Sequence, residues 1–199
     1  MLPERAVHDL LTDPLPDSFV LFGREYPIRT DLRHWILVTE LFEEDVPPYT
    51  KVRLAAELLL IGGAEVFRTL CEEEGEAAYN ELLRAVHRFS SCGRTSSEGV
   101  RDERRGEAVF DFTFDAERIY AAFWQAYGID LCDCADELHF WRFMALLRNL
   151  PRETEFMQAV GLRMTDTSRI EDDALRRRIR RARAAVRIRH DEGKEKKDG

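Results

Sequence analysis

The stretch DFTFDAERIYAAFWQAYGIDLCDCADELHFWRFMALLRNLP, Asp111 to Pro151, decides how this chain is read. Ile119, Tyr120, Phe123, Trp124 and Tyr127 recur at the three-and-four spacing that puts them on one side of a helix. After an acidic turn, Leu138, Phe140, Trp141, Phe143, Met144, Leu146, Leu147 and Leu150 leave only Arg142 and Arg148 as strong charges. That second helix is therefore expected to be enclosed on most sides. Asp115 is placed to cap the first helix, Gly128 to end it, and Asp136 to open the next, which Pro151 stops from beyond its end. Aromatic residues at helical spacing are far more often core than ligand box. Tyr120, Phe123, Trp124, Trp141 and Phe143 are accordingly expected to form the core of the C-terminal half.

Upstream, Phe19 to Phe22 and Tyr26 to Arg29 flank Gly23, Arg24 and Glu25 in the pattern of a short β-hairpin. Thr30 or Asp31 can cap a helix carrying Leu32, Trp35, Ile36, Thr39 and Phe42, which Asp45, Pro47 and Pro48 end. A second helix has the stripe Val52, Ala55, Ala56, Leu59 and Leu60. Gly62 and Gly63 interrupt it before a further run from Ala64 to Glu74. From Glu76 to Phe89, Tyr79, Leu82, Leu83, Val86 and Phe89 read as inward-facing, and Thr154 starts another short helix through Leu162. The fold class is mainly α: a compact multi-helix domain over residues 1–168 with an N-terminal hairpin at about 19–29 and an exposed loop at about 90–109. A basic helical arm at 169–189 and a disordered tail at 190–199 follow.

Charge divides the chain unevenly. Residues 1–168 hold 18 Lys plus Arg against 31 Asp plus Glu, a balance of −13, whereas 169–199 hold 12 against 7, a balance of +5. Glu171, Asp172 and Asp173 sit early in the arm and Arg183, Arg187 and Arg189 late, matching the helix dipole at both ends. Leu175, Ile179, Ala182 and Val186 give the arm a narrow apolar stripe. Arginine presents a planar fork to phosphates and carboxylates alike. Arg176, Arg177, Arg180 and Arg181 are the candidate partner contacts, with Arg178 in the same cluster. The acidic body disfavours nucleic acid and favours a solvated face or an acidic protein partner.

The remaining chemical candidates are sparse. Cys132, Cys134, His139 and Asp130 are close in sequence, but a Cys-x-Cys pair lacks the usual gap and no second Cys/His pair accompanies it. A structural turn and a packed histidine are the expectation, with no metal. Asp130, Asp133, Asp136 and Glu137 lack the spacing and glycine of a calcium loop and read as a solvated turn. No phosphate-binding glycine loop, nucleophile elbow or paired-histidine helix occurs, so no catalytic, metal or cofactor residue is assigned and no enzyme is expected. The four cysteines form no disulfide framework, and MLPERAVHDLL has neither the basic start nor the apolar stretch of a signal peptide. The longest apolar run, 54–67, is broken by Glu57, Gly62, Gly63 and Glu65, short of the ~20 residues that span a bilayer. A soluble cytoplasmic protein is expected.

DFTFDAERIYAAFWQAYGIDL followed by LHFWRFMALLRNLP resembles the phage family known as bacteriophage gene product fifteen, found in tailed phages and prophages. GREYPIRTDLRHWI, Gly23 to Ile36, resembles that family's opening, so the likeness frames residues 19 to about 165. The motif combines Asp111, Asp115, Tyr120, Phe123, Tyr127 and Asp130 with His139 and Trp141; Phe140 stands where a second tryptophan is expected. The resemblance implies a non-enzymatic role in tail morphogenesis in the host cytoplasm. It points to a tail assembly chaperone holding the tape-measure protein soluble and helping recruit tail-tube subunits. Its alternatives are a minor structural tail component or a nucleic-acid-binding regulator using the basic C-terminal helix. It brings no catalytic residues and leaves the oligomeric state open.

Overall fold

The computed structural model describes residues 9–93, 101–102 and 107–188. The chain is mainly helical, with a short antiparallel hairpin near its N-terminus. It divides into two compact units, Met1–Ser97 with Asp130–Asn149 and Glu98–Ile129 with Leu150–Gly199.

In the first unit, β1 (Ser18–Leu21) pairs with β2 (Arg24–Pro27). The turn is Phe22–Gly23 rather than the Gly23–Glu25 segment the sequence suggested. Both turn residues have positive φ, 50° and 76°, the twist that a two-residue hairpin favours and that glycine adopts without strain. The hairpin does not stand alone. Ile61 N–H donates to Pro27 O at 2.9 Å, Arg29 N–H to Leu59 O at 2.8 Å, and the Arg29 guanidinium to Leu58 O at 2.9 Å. The Leu58 and Leu59 carbonyls belong to the end of a helix, whose last acceptors have no partner within it.

Four helices follow: α1 (Leu32–Glu43), α2 (Pro48–Leu59), α3 (Gly63–Glu74) and α4 (Ala77–Ser90). Asp31 caps α1, accepting from His34 N–H at 3.1 Å. On α4 the buried stripe is Ala78, Leu82, Ala85, Val86 and Phe89. Leu83, expected inside, is exposed, because the stripe drifts to Ala85 where small side chains allow close approach. Two short helices close the unit, α6 (Leu131–Cys134) and α7 (Phe140–Arg148). They join through backbone pairing: Leu32 N–H donates to Leu138 O at 2.8 Å and Phe140 N–H to Thr30 O at 2.7 Å. The core centres on Trp35, fully buried, stacked on Phe89 at 4.2 Å and on Phe140 at 5.4 Å, with the Phe19 ring edge-on to Trp35.

The second unit contains α5 (Ala116–Tyr127), α8 (Glu155–Met164), a 3-10 turn at Thr167–Arg169 and α9 (Asp173–Ala185). Gly128 ends α5 at φ 66°, its N–H on Trp124 O at 3.0 Å. Thr154 caps α8, as its sequence indicated. Two two-residue strands, β3 (Arg101–Asp102) and β4 (Glu107–Ala108), pair antiparallel within the stretch read as a loop. Residues 94–100 and 103–106 of that loop, and the tail at 190–199, lie outside the described residues.

The two aromatic-rich helices thus fall in different units, α5 in the second and α7 in the first. Phe123, Trp141 and Phe143 are buried as expected, while Tyr120 is half-buried. Trp124 is a correction: it is 56% exposed. The helix buries Ile119, Ala122 and Phe123, and Trp124 lies about 100° further round from Phe123, past the edge of that face.

Candidate functional site

The Cys132–His139 segment is structural in its contacts. Asp130 caps α6, accepting from Cys132 N–H at 2.9 Å. His139 Nδ1 accepts from Trp141 N–H at 3.1 Å while Nε2 lies 3.0 Å from Pro16 O, so one neutral tautomer serves both contacts. His139, not Asp136, is therefore the cap of α7. Asp136 instead accepts from the Arg33 guanidinium at 2.6 Å. Burial, with Asp130, Asp133 and Glu137 nearby, pushes the Cys134 thiol up, away from the thiolate a metal or a nucleophile requires. Among the described residues no three His, Cys, Asp or Glu side chains converge as a metal would need.

The most elaborate polar arrangement centres on Asp115 and Arg163. Asp115, expected to cap α5, stands at the cap position without making the capping bond. Its buried carboxylate takes the Arg163 guanidinium end-on, Nη1 to Oδ2 at 2.6 Å and Nη2 to Oδ1 at 2.8 Å. It also accepts from Arg118 at 3.1 Å and from Asp111 N–H at 3.2 Å. Arg163, only 7% exposed, donates further to Val109 O at 3.2 Å and Val186 O at 2.6 Å, and its guanidinium lies 5.6 Å from the Phe114 ring centroid. One arginine thus joins the start of α5, the segment before it and the exit of α9. The signal was present in the sequence. Arg163 continues the buried stripe Phe156, Ala159, Val160 at helical spacing, and a charge on a buried face demands a counter-charge.

Of the candidate contacts on the arm, Arg176 is turned inward. Its Nε and Nη2 donate to Ile170 O at 2.9 and 2.6 Å, and Nη1 pairs with Asp173 at 2.9 Å. Arg177, Arg180 and Arg181, with Arg178, are exposed on α9. Ile179, Ala182 and Val186 are half-buried, and Leu175 is 45% exposed. The helix is shorter than the 169–189 arm expected. Its N-cap is Asp172, accepting from Ala174 and Leu175 N–H.

A comparison of the sequence with protein-family models matches it to the family described as Bacteriophage Gp15 protein, over residues 11–188. The chain belongs to the bacteriophage Gp15 family. The match runs through both units and takes in all of α9. No curated protein and no solved structure matches the chain. As a phage-related protein of this family, it has no helix among the described residues that is long and apolar enough to cross a membrane.

Proposed function

We propose that this Gp15-family protein is a non-enzymatic tail morphogenesis factor: a tail assembly chaperone acting in the host cytoplasm on the tape-measure protein, and through it on tail-tube subunits. The observation that carries the reading is the family match across residues 11–188. The chemistry of the chain supports it. Its most elaborate polar group, Asp115 with Arg163, is consumed in holding helices together and is sealed from solvent. What the surface offers instead is binding chemistry: exposed large apolar side chains such as Trp124, Tyr49 and Met164, and the outward arginines of α9. A long helical client exposes apolar faces before assembly, and helical surfaces cover such faces reversibly without catalysis.

Co-expression with the tape-measure protein of the same phage tests this. A soluble complex that co-purifies with the Gp15-family protein is the expected result. A tape-measure protein that aggregates to the same extent with and without its supposed chaperone removes the reading. Mass spectrometry of purified tails that finds the protein as a stoichiometric component makes it a structural part of the tail instead.

A further inference from the structure

The arm is held at both ends by arginines that point inward, while Arg177, Arg178, Arg180 and Arg181 between them are exposed. At its start Arg176 folds back onto Ile170 O and Asp173, and Asp172 caps the first turn. At its exit Arg163 holds Val186 O at 2.6 Å. Between these pins Arg177, Arg180 and Arg181 recur at three-and-four spacing, with Arg178 beside them. All four are exposed and none has a partner among the described residues. Like charges at that spacing oppose the helix that carries them. A helix that is pinned yet self-repelling is preorganised for a negative partner, which need not spend binding energy on ordering it.

We infer that the outward face of α9 is a docking surface for an acidic helical segment of a protein partner, whose carboxylates meet the forks of Arg177, Arg180 and Arg181. The charge layout selects a polypeptide over a phosphate polymer. Glu171, Asp172 and Asp173 lie at the start of the same arm, so a continuous phosphate strand laid along it would meet carboxylates. A helix with carboxylates on one stretch meets the arginines alone. The inference deepens the tail-assembly reading and rests on it only for the identity of the client, which would carry such a segment.

The test uses the full chain and a labelled synthetic helical peptide with Glu at i, i+3, i+4 and i+7, followed by fluorescence anisotropy at low salt. Binding should weaken about 10-fold or more in the triple variant Arg177→Glu, Arg180→Glu, Arg181→Glu, since three exposed ion pairs are reversed together. It should stay within about twofold for Arg152→Glu, an exposed arginine outside the arm. The Gln version of the peptide should not bind. The triple Gln variant, which keeps helix propensity, should show the same loss if charge reversal disturbs the fold by circular dichroism. Equal binding of wild type and variant, or of Glu and Gln peptides, overturns the inference. So does binding of mixed-sequence duplex DNA or phosphatidylglycerol vesicles with none of the peptide. If the triple variant fails to bind the peptide yet keeps the tape-measure protein soluble, the docking surface is not the client site and the chaperone reading stands. If wild type binds the peptide but keeps no tape-measure protein soluble, the chaperone reading fails and the surface stands.

Discussion

Asp115 and Arg163 face each other as two planar forks, 2.6 and 2.8 Å apart, with the carboxylate sealed from solvent. Desolvating both charges is costly, and their attraction offsets that cost only while both are present. Arg163→Met or Asp115→Asn should therefore destabilise the second unit by about 3–5 kcal/mol, because each leaves its partner without a full counter-charge. The double variant should fall short of the sum of the two by about 2 kcal/mol or more, as groups in one network couple. Denaturant melts of the four proteins give the cycle, and losses that simply add would show that the pair is not coupled.

How far this arrangement could be read beforehand depends on the range of the signal. Helices, caps at Asp31 and Thr154, and the Gly128 stop are local events, set by residues a few positions apart, and the sequence shows them. Asp115 does stand at the cap position, but an aspartate before a helix has two uses, and its carboxylate goes to Arg163, 48 positions away. Asp136 lies three residues before the cap position, which His139 takes, and its carboxylate pairs with Arg33 at a separation of 103. Periodicity placed Phe123 correctly and Trp124 wrongly, since a stripe has a centre but its edge is fixed only by the neighbouring helix. On the arm, composition picked out the arginine cluster, but only geometry separated the inward Arg176 from its exposed neighbours.

The three tryptophans should be distinguishable in solution. Trp35 is fully buried and bonded to Arg29 O at 2.9 Å, and Trp141 is buried with its indole N–H on Phe89 O at 2.8 Å. Trp124 is more than half exposed. Iodide should quench one component of the emission, at the red edge, and Trp124→Ala should remove that component while changing stability by no more than about 0.5 kcal/mol. Retention of the quenchable component in that variant would place a different tryptophan at the surface.

His139 and Trp141 fasten α7 by groups rather than by bulk. His139→Ala removes the side chain that accepts from Trp141 N–H and faces Pro16 O, and should cost about 1–2 kcal/mol. Trp141→Phe keeps most of the ring packing but removes one of the donors to the Phe89 carbonyl, which still accepts from Cys92 N–H at 2.8 Å, a loss of about 0.5–1.5 kcal/mol. Thermal melts of each variant check this, and a midpoint unchanged in both would mean that α7 is held by its apolar face alone.

Alkaline pH should weaken the first unit through Tyr79 and Cys71. Tyr79 stacks on Tyr49 at 4.1 Å and meets Phe67 edge-on at 5.0 Å. Burial first, then hydrogen bonding to Tyr49 and Cys71, pushes the Tyr79 phenol well above its ordinary range. Burial likewise pushes the Cys71 thiol up, with the Tyr79 contact pulling it partly back. Both groups stay protonated when folded at a pH where the unfolded chain releases those protons. The unfolded state then binds fewer protons, so stability falls as pH rises. The decline should begin near the ordinary thiol value of 9.0 and steepen past the ordinary phenol value of 10.0. Tyr79→Phe should lower stability at neutral pH through the lost hydroxyl contacts, yet show a shallower fall above about pH 10, because the titrating phenol is gone. Urea midpoints measured across this range decide the matter: parallel curves for wild type and Tyr79→Phe would mean that the half-buried phenol does not drive the alkaline transition.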